Sequence, residues 1–147
     1  MEENTSSTNL FVIDASYILA ALMPDEKEEI ALNTIIEYKN KNIFLASTTL
    51  LPYEVANSLR SNINRGRIAY RKAMELLTEF GNLQIPFYPI EYAKYFAISC
   101  KYNISCYDAS YVALAKEKGA GLLTFDKRLK EISDTRYSIE KHKSTHS

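Results

Sequence analysis

Four acidic residues lie where apolar segments of the sequence end or helical segments begin: Asp14, Glu54, Asp108 and Asp126. Each has an ordinary structural explanation, because an aspartate can cap a helix or fill a turn, and a glutamate in a first turn complements the helix dipole. Four carboxylates in one cleft would instead repel one another, and a hard divalent cation bound through oxygen is the usual remedy. The set therefore predicts a metal site if the fold brings its members together.

The ligand type indicates the metal and the reaction. Because all four ligands would be carboxylates rather than His or Cys, Mg²⁺ or Mn²⁺ is favoured over zinc, with one or two ions in the site. Such an ion retains water and can deprotonate it at neutral pH, while a second ion can stabilise the leaving oxygen. Phosphodiester hydrolysis is the chemistry that this set predicts.

A local cluster of basic residues accompanies the acids, although Lys plus Arg and Asp plus Glu number 18 each over the chain. No acid lies between Glu54 and Glu75, a stretch that carries several arginines. A solvated helix face is the alternative explanation, chiefly for Arg71 and Lys72. The residues predicted to bind a polyanionic substrate are Arg60, Arg65, Arg67, Lys127 and Arg128.

Tyrosines also lie beside or near the acids, at positions 17, 53, 107 and 111. Aromatic rings at such places could stack on unpaired bases. Burial in the core with a satisfied hydroxyl explains them equally well.

Strands and helices alternate along the chain. Apolar runs at 10–13 and 42–47 and the segment GLLTFD predict buried strands, and LQIPFYPI, with its two prolines, predicts an edge strand. Alternation with helices predicts a three-layer α/β/α sandwich with a central, mainly parallel sheet. Ligands bind at the carboxyl edge of such a sheet. Asp14, Glu54 and Asp126 are expected there, whereas Asp108 requires the N-terminus of its helix to reach the same edge.

Two later helices show apolar residues at helical spacing. Both stripes are expected to face the core. They comprise Ala73, Leu76, Leu77 and Phe80 in one helix, and Ala93, Phe96, Ala97 and Cys100 in the next.

The length of 147 residues suits one domain, which we place at residues 1–133, followed by a polar, basic tail at 134–147. The start of the chain lacks the basic and apolar parts of a signal peptide, and no apolar run approaches the roughly 18 residues of a membrane helix. We therefore expect a cytoplasmic protein without a membrane partner. Two cysteines are too few for a disulfide framework.

Four phrases, VIDASYILA, PYEVANSL, YDASYVALA and LLTFDKRL, follow one another over about residues 10–130. In this order they resemble the PIN-domain nucleases, especially the small VapC-type toxins of toxin–antitoxin pairs. The resemblance implies that Asp14, Glu54, Asp108 and Asp126 are both the catalytic residues and the ligands of Mg²⁺ or Mn²⁺. It also implies supporting roles for three neighbours, namely Ser16, Asn57 and Thr124.

For function, the resemblance implies a metal-dependent endoribonuclease that leaves a 5′ phosphate and a 3′ hydroxyl on RNA. It further implies a homodimer and a separate antitoxin protein that silences the site. One alternative is a non-catalytic PIN-fold module that binds RNA or acts as a scaffold, although such a module has no evident reason to concentrate negative charge. A phosphatase or phospho-acceptor domain is disfavoured because DAS lacks the second aspartate of the D-x-D motif.

Overall fold

A four-stranded sheet made of short apolar segments lies at the centre of the protein. The computed structural model describes residues 9–25 and 28–134. The strands are β1 (Leu10–Ile13), β2 (Phe44–Thr48), β3 (Phe87–Tyr88) and β4 (Gly121–Leu123). They stand in the order β3-β2-β1-β4, and every pair is parallel. The predicted parallel sheet is confirmed, and the proline-flanked strand does lie at an edge.

Seven helices in the described part of the chain cover the two faces of this sheet. They are α1 (Ala15–Leu22), α2 (Glu29–Lys39), α3 (Leu51–Asn64), α4 (Tyr70–Asn82), α5 (Tyr92–Tyr102), α6 (Cys106–Lys118) and α7 (Lys127–Asp134). Helix α1 packs against α2 and α3, and α3 packs against α4. Helix α6 packs against β1, β2 and β4 and also contacts α5 and α7.

The strand order reverses direction at β1. The chain steps outward from β1 to β2 and β3, then returns across the sheet to place β4 on the other side of β1. Because parallel crossovers are right-handed, this reversal puts α5 and α6 on the face opposite to α1–α4 and completes the predicted α/β/α sandwich. The carboxyl end of β1 is therefore the topological switch point, where open α/β sheets bind ligands.

Helix α6 is the most buried helix of the protein. Its residues 109–115 are all buried, which is the pattern of a helix covered on every side. Ser105 caps the N-terminus, so the helix begins two residues earlier than the predicted start at Asp108. Gly119 ends it with a left-handed φ of 63°, as a C-cap glycine does.

The prediction of which side of α5 faces the core was wrong. Ala93, Phe96, Ala97 and Cys100 face solvent, whereas the half-buried residues of this helix are Tyr95, Ile98, Ser99 and Tyr102. Both faces carry apolar side chains at helical spacing, so periodicity alone could not decide between them. The corresponding prediction for α4 is confirmed, since Ala73, Leu76 and Phe80 are buried.

The C-terminal part of the described chain forms α7, a helix that the sequence did not reveal. Only Leu129 and Ile132 anchor it in the core, because its other residues are mostly charged. The predicted tail lies outside the described residues from position 135 onward, so the proposed domain boundary stays a prediction. In the part of the chain that the structure describes, none of the helices is long and apolar enough to cross a membrane.

Candidate active site

Asp14 occupies the switch point directly. It follows the last residue of β1, its backbone N–H donates to the carbonyl of Leu123, and it caps α1. Its Oδ1 accepts hydrogen bonds from the hydroxyl of Ser16 at 2.7 Å and from the backbone N–H of Tyr17 at 3.1 Å. The side chain is only 5% exposed. Asp14 is thus a helix cap whose carboxylate also faces the carboxyl edge of the sheet.

Glu54 comes from the first turn of α3 and is half-buried. Its Oε1 accepts a hydrogen bond of 2.5 Å from the hydroxyl of Tyr111, a residue of α6 that is 1% exposed. Sequence reasoning missed this contact. Its only signal was that Tyr111 lies three residues after Asp108 and therefore on the same side of the helix.

Asp108 and Asp126 come from the two segments that flank β4. Asp108 is the third residue of α6, and its backbone N–H donates to the Ser105 hydroxyl at 3.0 Å, so it is not the cap itself. Asp126 is exposed, and its Oδ1 accepts the backbone N–H groups of Arg128 and Leu129, at 2.9 and 3.1 Å. Asp126 thereby caps α7.

The four carboxylates share one electrostatic environment. Burial is the main reason that the pKa values of Asp14, Glu54 and Asp108 lie above their ordinary range. Mutual repulsion adds to the rise, because Asp126 acts on Asp14 and Asp108, while Asp108 and Asp14 act on Glu54. Repulsion of this kind requires proximity. The N-terminus of α6 therefore does reach the edge at which β1 ends.

The carboxylates are close without forming a preassembled coordination sphere. Over residues 9–25 and 28–134, no group of three or more His, Cys, Asp or Glu side chains is already arranged to hold an ion. The donor set nevertheless fits Mg²⁺ or Mn²⁺, because it consists of carboxylate oxygens alone. Hydrogen bonds from the described residues reach one oxygen of Glu54 and one of Asp126, so the other oxygen of each can accept a ligand.

A hydroxyl pair links the two ends of the site. The Ser16 hydroxyl donates to Asp14, lies 3.5 Å from the Thr124 hydroxyl and accepts the backbone N–H of Phe125 at 3.1 Å. The Thr124 hydroxyl in turn accepts the backbone N–H of Asp126, and its side chain acts against the rise in the pKa of Asp14. These two hydroxyls therefore join the loop that carries Asp126 to the start of α1.

Phe125 provides a second link between the same segments. Its ring stacks on that of Tyr17, with centroids 4.8 Å apart and an interplanar angle of 11°. Sequence reasoning missed this contact because the two residues are more than a hundred positions apart. The stacking holds the Thr124–Asp126 loop against α1.

Ser16→Ala is expected to lower the proposed RNA cleavage by about 10- to 100-fold, the usual cost of losing a partner that orients a metal ligand. The variant removes the donor to Asp14 and the acceptor for Phe125 together. Cleavage rates of purified proteins measure the effect. Ser99→Ala is the matched control, since the Ser99 hydroxyl also makes a partly buried hydrogen bond, at 2.6 Å to the Ile104 carbonyl, but contacts none of the acids. Equal activity of the two variants would contradict the assigned role.

Asn57 lies beside Glu54 in a groove between α1 and α3. The groove has a volume of about 430 Å³ and is lined by Ala15, Ser16, Leu19, Glu54, Asn57, Ser58 and Ser61. Serine and asparagine side chains alternate with apolar Ala15 and Leu19 in this groove, which includes Glu54.

The predicted cationic residues of the α3 segment are all exposed. Arg65 caps the C-terminus of α3, eleven residues after Glu54. At about 1.5 Å and 100° per residue, Arg65 lies roughly 16 Å further along the helix axis than Glu54 and is rotated from it by about 20°. Arg60 points about 120° away from Glu54 by the same geometry, and Arg67 lies in the turn that follows. Arg65 is thus the arginine best aligned with the groove.

Lys127 and Arg128 form the first turn of α7, directly after Asp126, and both are exposed. The guanidinium of Arg128 donates to the carbonyl of Tyr102 at 2.7 Å. Arg128 thus joins α7 to the end of α5, so this residue, predicted to bind substrate, also has a structural role.

The four tyrosines divide into two kinds. Tyr17 and Tyr111 are buried, and their hydroxyls contact Thr34 and Glu54. Tyr53 and Tyr107 are exposed near Glu54 and Asp108. The core explanation therefore holds for the first pair, and stacking on a base remains a prediction for the second.

Asp108→Asn is expected to make the metal-free protein more stable at neutral pH. Burial, together with Asp126 and Asp14, raises the pKa of the folded protein's Asp108 above the ordinary 3.8. The folded state therefore binds a proton on the Asp108 carboxyl more tightly than the unfolded state does. The stability that this protonation contributes is lost as the pH rises through the pKa of the folded state.

Urea unfolding in EDTA between pH 4 and pH 7 measures this prediction. The stability of the variant minus that of the wild type should be near zero at the acidic end and should grow as the pH rises. A difference that is constant, or that favours the wild type at pH 7, would contradict it.

Comparison with known proteins agrees with this geometry. A family model described as "PIN domain" matches residues 11–134. "Ribonuclease VapC3" of Pyrobaculum aerophilum is 36% identical over 124 residues, which cover 82% of this chain and 92% of that protein. "Ribonuclease VapC9" of Mycobacterium tuberculosis is 28% identical over 134 residues, which cover 88% of this chain and 96% of that protein.

A solved structure shares the fold. "Crystal structure of PAE2754 from Pyrobaculum aerophilum" superimposes with a TM-score of 0.70 and 21% identity, over 91% of this chain and 89% of that one. The family match spans all four acids and all of the sheet except Leu10, the first residue of β1. The chain therefore belongs to the PIN-domain family, within its VapC branch.

Proposed function

We propose that this protein is a metal-dependent endoribonuclease that hydrolyses RNA phosphodiester bonds and acts as the toxin of a toxin–antitoxin pair in the cytoplasm. The observation that carries the proposal is the convergence of four mutually repelling carboxylates on the switch point of the sheet. Structural caps alone do not require such a concentration of charge. The relatives named ribonucleases support the choice of RNA as substrate.

The same four residues, Asp14, Glu54, Asp108 and Asp126, would hold one or two Mg²⁺ or Mn²⁺ ions. When bound, the metal would supply a water-derived nucleophile at neutral pH and stabilise charge on the leaving oxygen. The chain provides the arrangement of the ligands. Ser16 and Thr124 hold Asp14 and the Asp126 loop together, and Tyr111 contacts Glu54.

The groove between α1 and α3 gives the RNA strand a path to the acids. Serine and asparagine side chains line it, and Arg65 lies on the same side of α3 as Glu54. We assign phosphate binding to Arg60, Arg65, Arg67, Lys127 and Arg128, which are exposed along and just beyond α3 and in the first turn of α7. Exposed Tyr53 and Tyr107 offer rings for unpaired bases.

The direct test is the cleavage of a panel of structured RNAs by the purified protein in Mn²⁺, with chemical analysis of the new ends. Products that carry a 5′ phosphate and a 3′ hydroxyl are expected. Tight RNA binding without any cleavage across the panel would overturn the proposal and favour the non-catalytic RNA-binding or scaffold alternative. A product with a 2′,3′-cyclic phosphate would contradict the water-dependent chemistry.

An antitoxin partner would neutralise the acidic cluster with a cationic side chain from a separate protein. Besides burial, repulsion from the neighbouring acids raises the pKa values of Asp14, Glu54 and Asp108, so a cation beside them would be favourable. The product of a neighbouring short reading frame should inhibit RNA cleavage when added to the purified protein. Unchanged cleavage at saturating amounts of that product would exclude it as the antitoxin.

We also propose that two copies of the chain associate through the outer face of α5. This face carries Tyr92 and Phe96, which are 75% and 61% exposed, beside Ala93, Ala97 and Cys100. A contiguous apolar helix face of this kind is typical of a protein interface. Two such faces related by a twofold axis are self-complementary.

Phe96→Arg is expected to convert the dimer to a monomer, because it puts a charge at the centre of the apolar face. Molar mass from light scattering during size-exclusion chromatography measures the result. Phe44→Arg is the matched control, since Phe44 is similarly exposed, at 58%, but belongs to β2. A wild-type protein of monomeric mass, or a dimer that survives Phe96→Arg, would contradict this interface.

A further inference from the structure

We propose that Tyr111 is a positioning residue that fixes the Glu54 carboxylate at the edge of the active site. This inference rests on the proposed function, because it gives a role to a residue beside one of the four acids. The two side chains are 57 positions apart in the sequence and meet through a hydrogen bond of 2.5 Å.

Tyr111 is a rigid support. It is 1% exposed and stands in the middle of the consecutively buried part of α6. It also lies one turn after Asp108, so one helix carries an acid of the site and the donor that orients another acid. Any shift of Tyr111 would require repacking of the core around α6.

Glu54 needs such a support. Its flexible side chain starts from the first turn of α3 and is only half-buried. Asp108 and Asp14 both repel its charge. Without a donor on the protein side, this repulsion favours rotamers in which the carboxylate points away from the other acids. The Tyr111 hydroxyl opposes that movement.

The phenol lies beside the end of β2. Thr48, the last residue of that strand, is close enough to Tyr111 to affect the pKa of its hydroxyl, and the Thr48 hydroxyl accepts the backbone N–H of Leu50 at 3.2 Å. Thr48 is 2% exposed, so this side of the phenol is also part of the core. The Tyr111 hydroxyl thus connects α6 with α3, engages Oε1 and leaves the second oxygen of Glu54 for a ligand.

Tyr111→Phe tests the role because it keeps the ring and removes only the hydroxyl. Tyr38→Phe is the matched control, since the Tyr38 hydroxyl donates to the Leu83 carbonyl at 2.9 Å and contacts none of the acids. We expect Tyr111→Phe to weaken Mn²⁺ binding, measured by calorimetry, by about 10- to 100-fold, as for other partners that orient metal ligands. Tyr38→Phe should bind Mn²⁺ as the wild type does.

Crystal structures of the metal-free variants give a readout that does not depend on activity. Glu54 should occupy one conformation in the wild type and in Tyr38→Phe, and should turn away or lose its order in Tyr111→Phe. In a Glu54→Ala background, adding Tyr111→Phe should cause no further loss of Mn²⁺ affinity, because Tyr111 acts only through the Glu54 carboxylate.

The outcomes separate the two proposals. A wild type that cleaves RNA, together with a Tyr111→Phe variant of unchanged Glu54 conformation and Mn²⁺ affinity, would overturn the positioning role alone. A wild type that neither binds Mn²⁺ nor cleaves RNA would overturn the proposed function, whereas the metal-free structures would still decide whether Tyr111 holds Glu54.

Discussion

Asp14→Asn is expected to lower RNA cleavage by at least about 10³-fold, because a neutral amide cannot supply the charge that a metal ligand contributes, and the metal supplies several kcal/mol of transition-state stabilisation. The fold should survive. Asparagine caps helices about as well as aspartate does, so the hydrogen bond from Tyr17 to the side-chain oxygen can remain. The buried position also loses a charge that its neighbours repel.

Single-turnover cleavage rates and urea unfolding together measure this prediction. Asp25→Asn is the control, since Asp25 is an exposed aspartate in the turn after α1. It should leave both the rate and the stability nearly unchanged. An Asp14→Asn protein that is folded and cleaves RNA at the wild-type rate would remove Asp14 from the catalytic set and, with it, the central ligand of the proposed site.

Removal of divalent cations is expected to reduce cleavage to the background rate. The four carboxylates alone offer no positive charge at the point where the leaving oxygen develops negative charge. Excess EDTA should therefore abolish product formation, and Mg²⁺ or Mn²⁺ added beyond the chelator should restore it.

A stability measurement accompanies the activity test. The proposed metal site exists only in the folded protein, so Mn²⁺ should raise the melting temperature of the wild type at pH 7, and by less in Asp14→Asn. Zn²⁺ tests selectivity, because a site made of carboxylate oxygens has none of the nitrogen or sulfur ligands that zinc prefers. Full cleavage in EDTA by thoroughly dialysed protein would refute the metal-dependent mechanism.

The parts of the site that could be predicted from the sequence are those decided by local patterns. Asp14 follows an apolar run that predicted a buried strand, and Asp126 ends the segment GLLTFD that predicted another, of which only Gly121–Leu123 is strand, so parallel topology was enough to place both acids at one edge. Glu54 followed from the helix that starts after β2. The strand order and the position of Asp108 depend on how the α5–α6 crossover returns across the sheet, which no local pattern encodes.

Other features depend on tertiary packing. Helix α5 has apolar residues on both sides, and only its contact with α6 determines which side is buried. Helix α7 was missed because its sequence is mostly charged and two residues suffice to anchor it. The bond between Tyr111 and Glu54 joins segments that are far apart in the chain. Such contacts follow from the assembled core rather than from the periodicity of either helix.

The position of β4 has a consequence for the synthesis of the protein. Among the strands of residues 9–25 and 28–134, β4 is the last to be made, yet it pairs with β1, the first of them, and the chain beyond it brings Asp126 close to Asp14. A ribosome-bound chain that has not reached this point lacks both the fourth carboxylate and the strand that supports it. Incomplete translation products of a ribonuclease with this topology therefore lack an assembled site. The activity is expected in the cell only after all four strands of the sheet have paired.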